Sequence, residues 1–107
     1  MVFFISVSTD VTENITCEEL MENIIYEGVF FGAIDSHTLN SPFINDATAY
    51  IYNDDIYVVS TDSRDRTTIH CQVPKGDWDA FEAACNCSYF KKFNEYISKH
   101  SCDCSYD

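Results

Sequence analysis

The sequence predicts a small single α+β domain, with helices packed on one face of a mainly antiparallel sheet of about four or five strands. The chain has 107 residues, which suits one domain. Hydrophobic residues make up 46% of it, enough for one modest core. Alternating apolar segments lie between two segments with helical periodicity, and no repeat or linker divides them. The domain is therefore expected to span residues 1–107, with one N-terminal helix and a kinked or split C-terminal helix.

The N-terminal part predicts a strand followed by a helix. Residues 2–8 are rich in β-forming side chains and predict the first strand. Thr16 and Glu19 have the spacing of a capping box, which predicts a helix over residues 17–27. Gly28 follows at once and is expected to end that helix. One helix face collects the apolar residues expected in the core: Cys17, Leu20, Met21, Ile24 and Ile25.

The middle of the chain predicts further strands, at residues 29–34, 47–52, 56–60 and 66–73. The first of these is an apolar run, typical of a strand buried on both faces or nearly so. The second and third flank Asn53-Asp54-Asp55, which is a strong hairpin signal. A polar loop is expected over residues 35–46.

The C-terminal part predicts a broken helix. Asp77 is expected to cap a helix that runs from Trp78 to about Ser98. Its apolar stripe changes face midway, which predicts a break at residues 86–88. Residues from about 101 to 107 are expected to form a frayed tail. The two stripes consist of Trp78, Phe81, Ala84 and Cys85, and then of Tyr89, Phe90, Phe93, Tyr96 and Ile97.

The charge is large and unevenly distributed. The formal net charge is −12, from 18 acidic and 6 basic side chains. Residues 1–63 hold 11 of the acidic side chains and no Lys or Arg, whereas residues 64–107 hold 7 acidic and 6 basic. Phosphate contacts need Lys and Arg, so direct binding to nucleic acid or to an anionic membrane is not expected.

Two interpretations of this acidic half stay open. Acidic surfaces keep small proteins soluble, although a net charge of about 2–8 is enough for a small domain. Alternatively, the acidic half docks on a basic protein surface, with tyrosines supplying affinity at the centre of the contact. The candidate partner-binding residues are Glu18, Glu19, Glu22, Asp35, Asp46, Asp54, Asp55, Tyr50, Tyr52 and Tyr57.

A short, strongly acidic α+β domain resembles the phage-encoded anti-defence inhibitors, which include anti-CRISPR and DNA-mimic proteins. Toxin-neutralising immunity proteins share this character. The resemblance rests on size, on net charge and on two acidic groups, Glu18/Glu19/Glu22 and Asp54/Asp55, and on no family motif. It implies a binding function against a host protein that carries a basic, nucleic-acid-binding surface, with the CRISPR effector machinery as the first target.

The six cysteines allow several interpretations. Cys85-Asn86-Cys87 and Cys102-Asp103-Cys104 are two C-x-C pairs whose four sulfurs have the number for a zinc site, in a spacing tighter than the usual one. Core packing, a frayed tail or disulfides are the alternatives. Cys17 and Cys71 fall on apolar faces and are expected in the core. The N-terminus lacks a basic region, which predicts no secretory signal and hence a reducing, cytoplasmic location.

No catalytic signature is present, and no cofactor or enzymatic activity is expected. His70 and Cys71 are neighbours in a predicted strand, where their side chains point to opposite faces. Asp35, Ser36 and His37 are neighbours in one loop, whereas catalytic triads combine separate elements. The sequence therefore favours a small acidic protein-binding inhibitor. The alternatives are an immunity protein that neutralises a nuclease and a zinc-stabilised adaptor domain.

Overall fold

The computed structural model describes residues 15–34, 43–84 and 89–104. The strand predicted over residues 2–8, the candidate Asp35 and the break predicted at residues 86–88 lie outside these ranges. Seven elements follow in order: α1 Cys17–Glu27, β1 Val29–Ile34, β2 Ile44–Tyr52, β3 Asp55–Asp62, β4 Thr67–His70, α2 Lys75–Glu82 and α3 Tyr89–Tyr96. The α+β class is confirmed.

Helix α1 has the predicted bounds. Thr16 Oγ1 accepts a hydrogen bond from the Glu19 backbone N–H, and Glu19 Oε1 accepts one from the Thr16 N–H, each at 3.1 Å. Gly28 ends the helix with an extended backbone, φ −73° and ψ 162°, and not in the left-handed form. Ile25 was predicted in the core and is 52% exposed. That prediction is wrong because the sheet covers a narrower stripe of the helix than the apolar wheel suggests.

The sheet is an antiparallel meander in the order β1-β2-β3-β4. The predicted hairpin is confirmed: Asn53 and Asp54 have φ values of 51° and 68°, as a tight turn between twisted strands requires. Strand β2 begins earlier than predicted, so residues 44–46 are not part of a loop. Strand β4 is shorter than predicted, because the chain turns away at Gln72, where φ is 52°.

The sheet is the middle layer of three. Val58 and Val59 are adjacent in β3 and therefore point to opposite faces. Val58 packs with Trp78 and Phe81 of α2 and with Phe93 of α3. Val59 packs with Met21 and Ile24 of α1. The prediction that all helices share one face is wrong, because β3 carries apolar side chains on both faces.

Phe81 is the centre of the α2–α3 side of the core. Its ring lies 5.5 Å from that of Trp78, 5.8 Å from that of Tyr89 and 5.6 Å from that of Phe93, measured between centroids. Trp78 and Phe81 are fully buried, as predicted. Helix α2 begins earlier than predicted, with Pro74 as its N-cap, so Asp77 lies in the first turn and does not cap.

The C-terminal segment is tied to the domain. Disulfides join Cys17 to Cys104 and Cys71 to Cys102. Cys102 Sγ also lies 3.6 Å from the Ile69 carbonyl oxygen. The prediction of a frayed tail is therefore wrong for residues 101–104, because two bridges hold them against α1 and against the residue after β4. No helix within the described ranges is long and apolar enough to cross a membrane.

Candidate protein-interaction surface

The outer face of α1 carries the predicted acidic group. Glu18, Glu19 and Glu22 are all exposed, on the side of the helix opposite to buried Cys17, Met21 and Ile24. The helical periodicity of the sequence predicted this placement. Within the described ranges, none of these carboxylates lies in a salt bridge. Glu18 and Glu22 are four residues apart, so their like charges destabilise the helix slightly.

The basic side chains form their salt bridges with acidic residues outside α1. Arg66 pairs with Asp62 at 3.0 Å and Lys75 pairs with Asp79 at 2.8 Å. Backbone N–H donation from Arg66 holds the pKa of the Asp62 carboxyl below its usual value. Lys99 lies 3.7 Å from the Asp77 carboxylate. Among the described residues, six of the ten acidic side chains that lie in no salt bridge are on α1, which ends at Glu27, and on the β2–β3 hairpin; the other four are Asp46, Asp65, Glu82 and Asp103.

The hairpin tip supplies a second acidic group at the end of the sheet where α1 ends. Asp54 is exposed, and half-buried Asp55 accepts a hydrogen bond from Gln72 Nε2 at 3.4 Å. A Cβ placed on Gly28 would lie 3.2 Å from Tyr50 Cβ and 3.3 Å from the Ile51 carbonyl oxygen. The α1–β1 junction therefore contacts the part of β2 that leads into the hairpin.

The other predicted site residues lie elsewhere. Asp46 is half-buried in β2 opposite Thr61, away from the hairpin. Tyr50, Tyr52 and Tyr57 are half-buried against the α1 side of the core, so only part of each ring faces solvent. The Tyr52 and Tyr57 rings meet edge to face at 5.9 Å. Burial raises the pKa of the Tyr57 phenol, and the Asp55 charge adds to that shift.

An apolar surface that the sequence analysis missed lies at the same end of the sheet. Tyr26 is 89% exposed, Val29 65% and Phe30 63%. The β1 patch, as we name it, consists of Ile25, Tyr26, Val29, Phe30 and Ile51. The prediction that residues 29–34 are buried on both faces or nearly so is wrong for Val29, Phe30 and Ala33, which are exposed, because the helices leave the start of this strand uncovered, whereas Gly32 and Ile34 are buried. One residue could have indicated this surface from the sequence: Tyr26 is an aromatic side chain on the polar face of α1, where helical periodicity predicts that it is exposed.

A buried polar pair was also missed. Ser60 Oγ lies 3.1 Å from His70 Nε2. Burial, and then the neighbouring His100, lower the pKa of His70 to about 4, so its imidazole is neutral at physiological pH. His70 faces Phe93 on the α2–α3 side, whereas Cys71 is bonded on the α1 side, as strand alternation predicted. The Ser60–His70 pair is therefore part of the buried core and not of the exposed surface described above.

The four-cysteine zinc site is contradicted. Cys102 and Cys104 are both in disulfides, so their sulfurs are not thiolate ligands. Cys85 and Cys87 lie outside the described residues, as do Asp35, Ser36 and His37. The described ranges hold no group of three or more residues suited to a metal ion. Cys71 and Cys17 are bridge partners and not free core thiols.

No protein family, no curated protein and no solved structure matches this chain. Its function therefore has to be inferred from the acidic face of α1, the hairpin tip and the β1 patch between them.

Proposed function

We propose that this protein is a stoichiometric, non-enzymatic inhibitor that docks its acidic face on a basic, nucleic-acid-binding surface of a partner protein. The observation that supports this function best is the uncompensated charge of α1. Glu18, Glu19 and Glu22 are exposed on one rigid helix, within 63 residues that contain no Lys or Arg. Complementary charge of this kind speeds encounter and selects the partner. The carboxylates would take the places of phosphates in the partner's channel.

The helix is held rigidly enough for such a contact. The capping box fixes its first turn, and the Cys17–Cys104 bridge ties the same turn to the C-terminal segment. Residues that are ordered before binding lose less conformational entropy on association, which favours affinity. The fold therefore fixes the backbone positions from which the carboxylates extend, which limits the ordering that binding to a basic surface requires.

The two disulfide bridges indicate the type of compartment in which the protein would meet its partner. A cytoplasmic location, in the host cytoplasm for a viral protein, was expected from the N-terminus alone. Disulfides persist in oxidising compartments and are rare in the cytosol. We therefore propose a cationic nucleic-acid-binding protein in an oxidising compartment, such as a nuclease, ahead of a cytoplasmic CRISPR effector.

The test is a charge reversal with a matched control. The variant Glu18→Lys/Glu19→Lys/Glu22→Lys is compared with Asp79→Lys/Glu82→Lys/Glu95→Lys, which changes the net charge equally through exposed residues of α2 and α3. Immobilised wild-type protein captures partners from host lysate, and added duplex DNA elutes those bound through a nucleic-acid site. Binding of the eluted partner is then measured by calorimetry.

The α1 variant is expected to lose binding while the α2–α3 variant retains it. All six positions face solvent. Glu19→Lys removes the hydrogen bond from the Thr16 N–H to Glu19 Oε1 but keeps the one from the backbone N–H of residue 19 to Thr16 Oγ1, so both variants are expected to keep the wild-type circular dichroism spectrum. Wild-type affinity in the α1 variant would contradict the proposal, and so would a ternary complex that still holds the DNA.

A further inference from the structure

The exposed apolar side chains are concentrated at one end of the molecule. Seven large apolar side chains are exposed among the residues described, and five of them form the β1 patch. The remaining two, Phe43 and Phe90, cover each other with ring centroids 4.5 Å apart. Single exposed apolar residues are normal on protein surfaces, whereas a contiguous group indicates a binding site. The five side chains of the β1 patch lie at one end of the fold, where α1 ends, β1 begins and β2 leads into the hairpin.

The patch wraps around the edge of the sheet. Val29 lies opposite Ile51, and Phe30 lies opposite Tyr50, so the two pairs face opposite sides of the sheet. In the described part of the sheet, β1 pairs with β2 alone. An edge strand presents backbone N–H and C=O groups to a further strand. An extended segment placed there would contact apolar side chains on both of its own faces.

Acidic side chains surround the patch. Glu22 and Glu27 lie beside it on α1, and Asp54 and Asp55 lie beyond Ile51 at the hairpin tip. Natural edge strands are often protected by Lys, by Pro or by a β-bulge. Residues 29–34 contain no Lys or Pro, and the register of β1 shifts only between Phe30 and Gly32, which leaves Val29 and Phe30 before the irregularity. A polypeptide segment with an apolar centre and cationic ends would pack its centre on the β1 patch and place its charges near the acidic side chains.

We infer that the β1 patch binds an extended segment of the partner protein that has an apolar centre and Lys or Arg at its flanks, and that this segment adds a strand to β1. This inference rests on the proposed function, and it names the part of the partner that gives affinity. Main-chain hydrogen bonds and alternate side-chain contacts are the usual components of strand addition. The acidic face of α1 would attract the partner, and the patch would hold it.

A second copy of the chain is a poorer occupant. To bury the patches of two copies against each other, antiparallel pairing would have to be centred on Val29 and Phe30 at the start of β1, and this register would bring the acidic side chains beside the two patches together. Each chain also carries a net charge of −12. Like charges placed across an interface oppose association. A partner of opposite charge meets no such repulsion.

The probe is a set of four short synthetic peptides. The first has a centre of alternating Val and Ile and Lys at both ends. The second replaces Lys with Glu, the third replaces the apolar centre with Ser and Thr, and the fourth places Pro at the centre to remove backbone donors. Binding to the intact, oxidised protein is measured by calorimetry and by amide chemical shifts. Only the first peptide is expected to bind, with shifts confined to β1, the end of α1 and the hairpin.

The protein variants are Phe30→Ser and its control Ala33→Ser, an exposed residue of the same strand outside the patch. Phe30→Ser is expected to weaken binding of the first peptide by about 30-fold, the effect of losing an interface hot spot. Ala33→Ser is expected to bind as the parent does.

Equal binding of the Ser/Thr peptide, or wild-type affinity in Phe30→Ser, would overturn the inference and leave the proposed function standing. Slow hydrogen exchange at the outer amides of β1 in the free monomer would overturn it as well, because another part of the chain would then occupy the edge. So would a dimer that Phe30→Ser dissociates. Failure of the proposed function gives a different result: the lysine-flanked peptide binds, and the α1 charge reversal leaves partner binding unchanged.

Discussion

Ser60 and His70 join neighbouring strands through a buried hydrogen bond, with 3.1 Å between Ser60 Oγ and His70 Nε2. The two side chains lie on the α2–α3 face of β3 and β4, where the His70 ring also meets Phe93 edge to face at 5.4 Å. An imidazole in this position is held neutral, because the interior does not solvate a positive charge.

The first prediction concerns pH. The pKa of His70 is about 4 in the folded protein and 6.5 in the unfolded chain, so the unfolded chain binds more protons between these values. Stability is therefore expected to fall as the pH drops below 6.5, by up to about 1.4 kcal/mol per pH unit and by roughly 3 kcal/mol at pH 4. Urea unfolding across this range measures the slope. His70→Asn is expected to flatten it, and an unchanged slope in that variant would exclude His70 as the cause.

The second prediction concerns the aromatic core. Phe81→Ala removes the ring that contacts Trp78, Tyr89 and Phe93, and is expected to cost about 3–5 kcal/mol. Phe90→Ala removes the same type of side chain from a half-exposed position and is expected to cost much less. Thermal unfolding compares the two. Equal losses of stability in the two variants would contradict the prediction that the buried Phe81 ring contributes more to stability than the exposed Phe90 ring.

The third prediction compares two glycines. A Cβ on Gly28 would clash with the Ile24 carbonyl oxygen, so Gly28→Ala forces the end of α1 to move. This substitution is expected to lower the free energy of unfolding by more than about 1 kcal/mol. Gly76 lies in α2 with no atom within 4 Å of the Cβ position, and Gly76→Ala is expected to raise stability by about 0.5 kcal/mol. Chemical denaturation measures the free energy of unfolding of both variants. Changes of the same sign in the two variants would contradict the prediction.

The fourth prediction concerns the bridges. Cys17→Ser/Cys104→Ser and Cys71→Ser/Cys102→Ser are each expected to cost about 2–5 kcal/mol. The first bridge spans 87 residues and the second 31, so loss of the first is expected to cost roughly 1 kcal/mol more. Alkylation in denaturant followed by mass spectrometry counts free thiols. Cys17, Cys71, Cys102 and Cys104 are expected to react only after reduction, and their modification before reduction would show that the two bridges are not formed.

The fifth prediction concerns salt. The Debye length falls from about 10 Å at 0.1 M salt to about 3 Å at 1 M, which shortens the reach of exposed carboxylates. Association with the basic partner is expected to slow strongly over this range, while dissociation, set by short-range contacts such as that of Phe30, changes little. Surface plasmon resonance separates the two rates. An association rate that does not respond to salt would argue against electrostatic attraction by α1.

The sequence determined the features that depend on near neighbours. Thr16 and Glu19 are three residues apart, and their mutual hydrogen bonds set the start of α1 wherever the helix packs. Asn53 and Asp54 form the hairpin turn because both tolerate positive φ. The exposure of Glu18, Glu19 and Glu22 follows from helical periodicity alone.

Only the tertiary structure decided which distant residues meet. Cys17 pairs with Cys104 across 87 residues, and no spacing rule selects one partner among several cysteines. The apolar run at the start of β1 has the same pattern whether or not helices cover it, so the exposure of Val29 and Phe30 depends on how the helices pack. The β1 patch combines α1, β1 and β2, and its existence rests on packing between elements, which local periodicity does not encode.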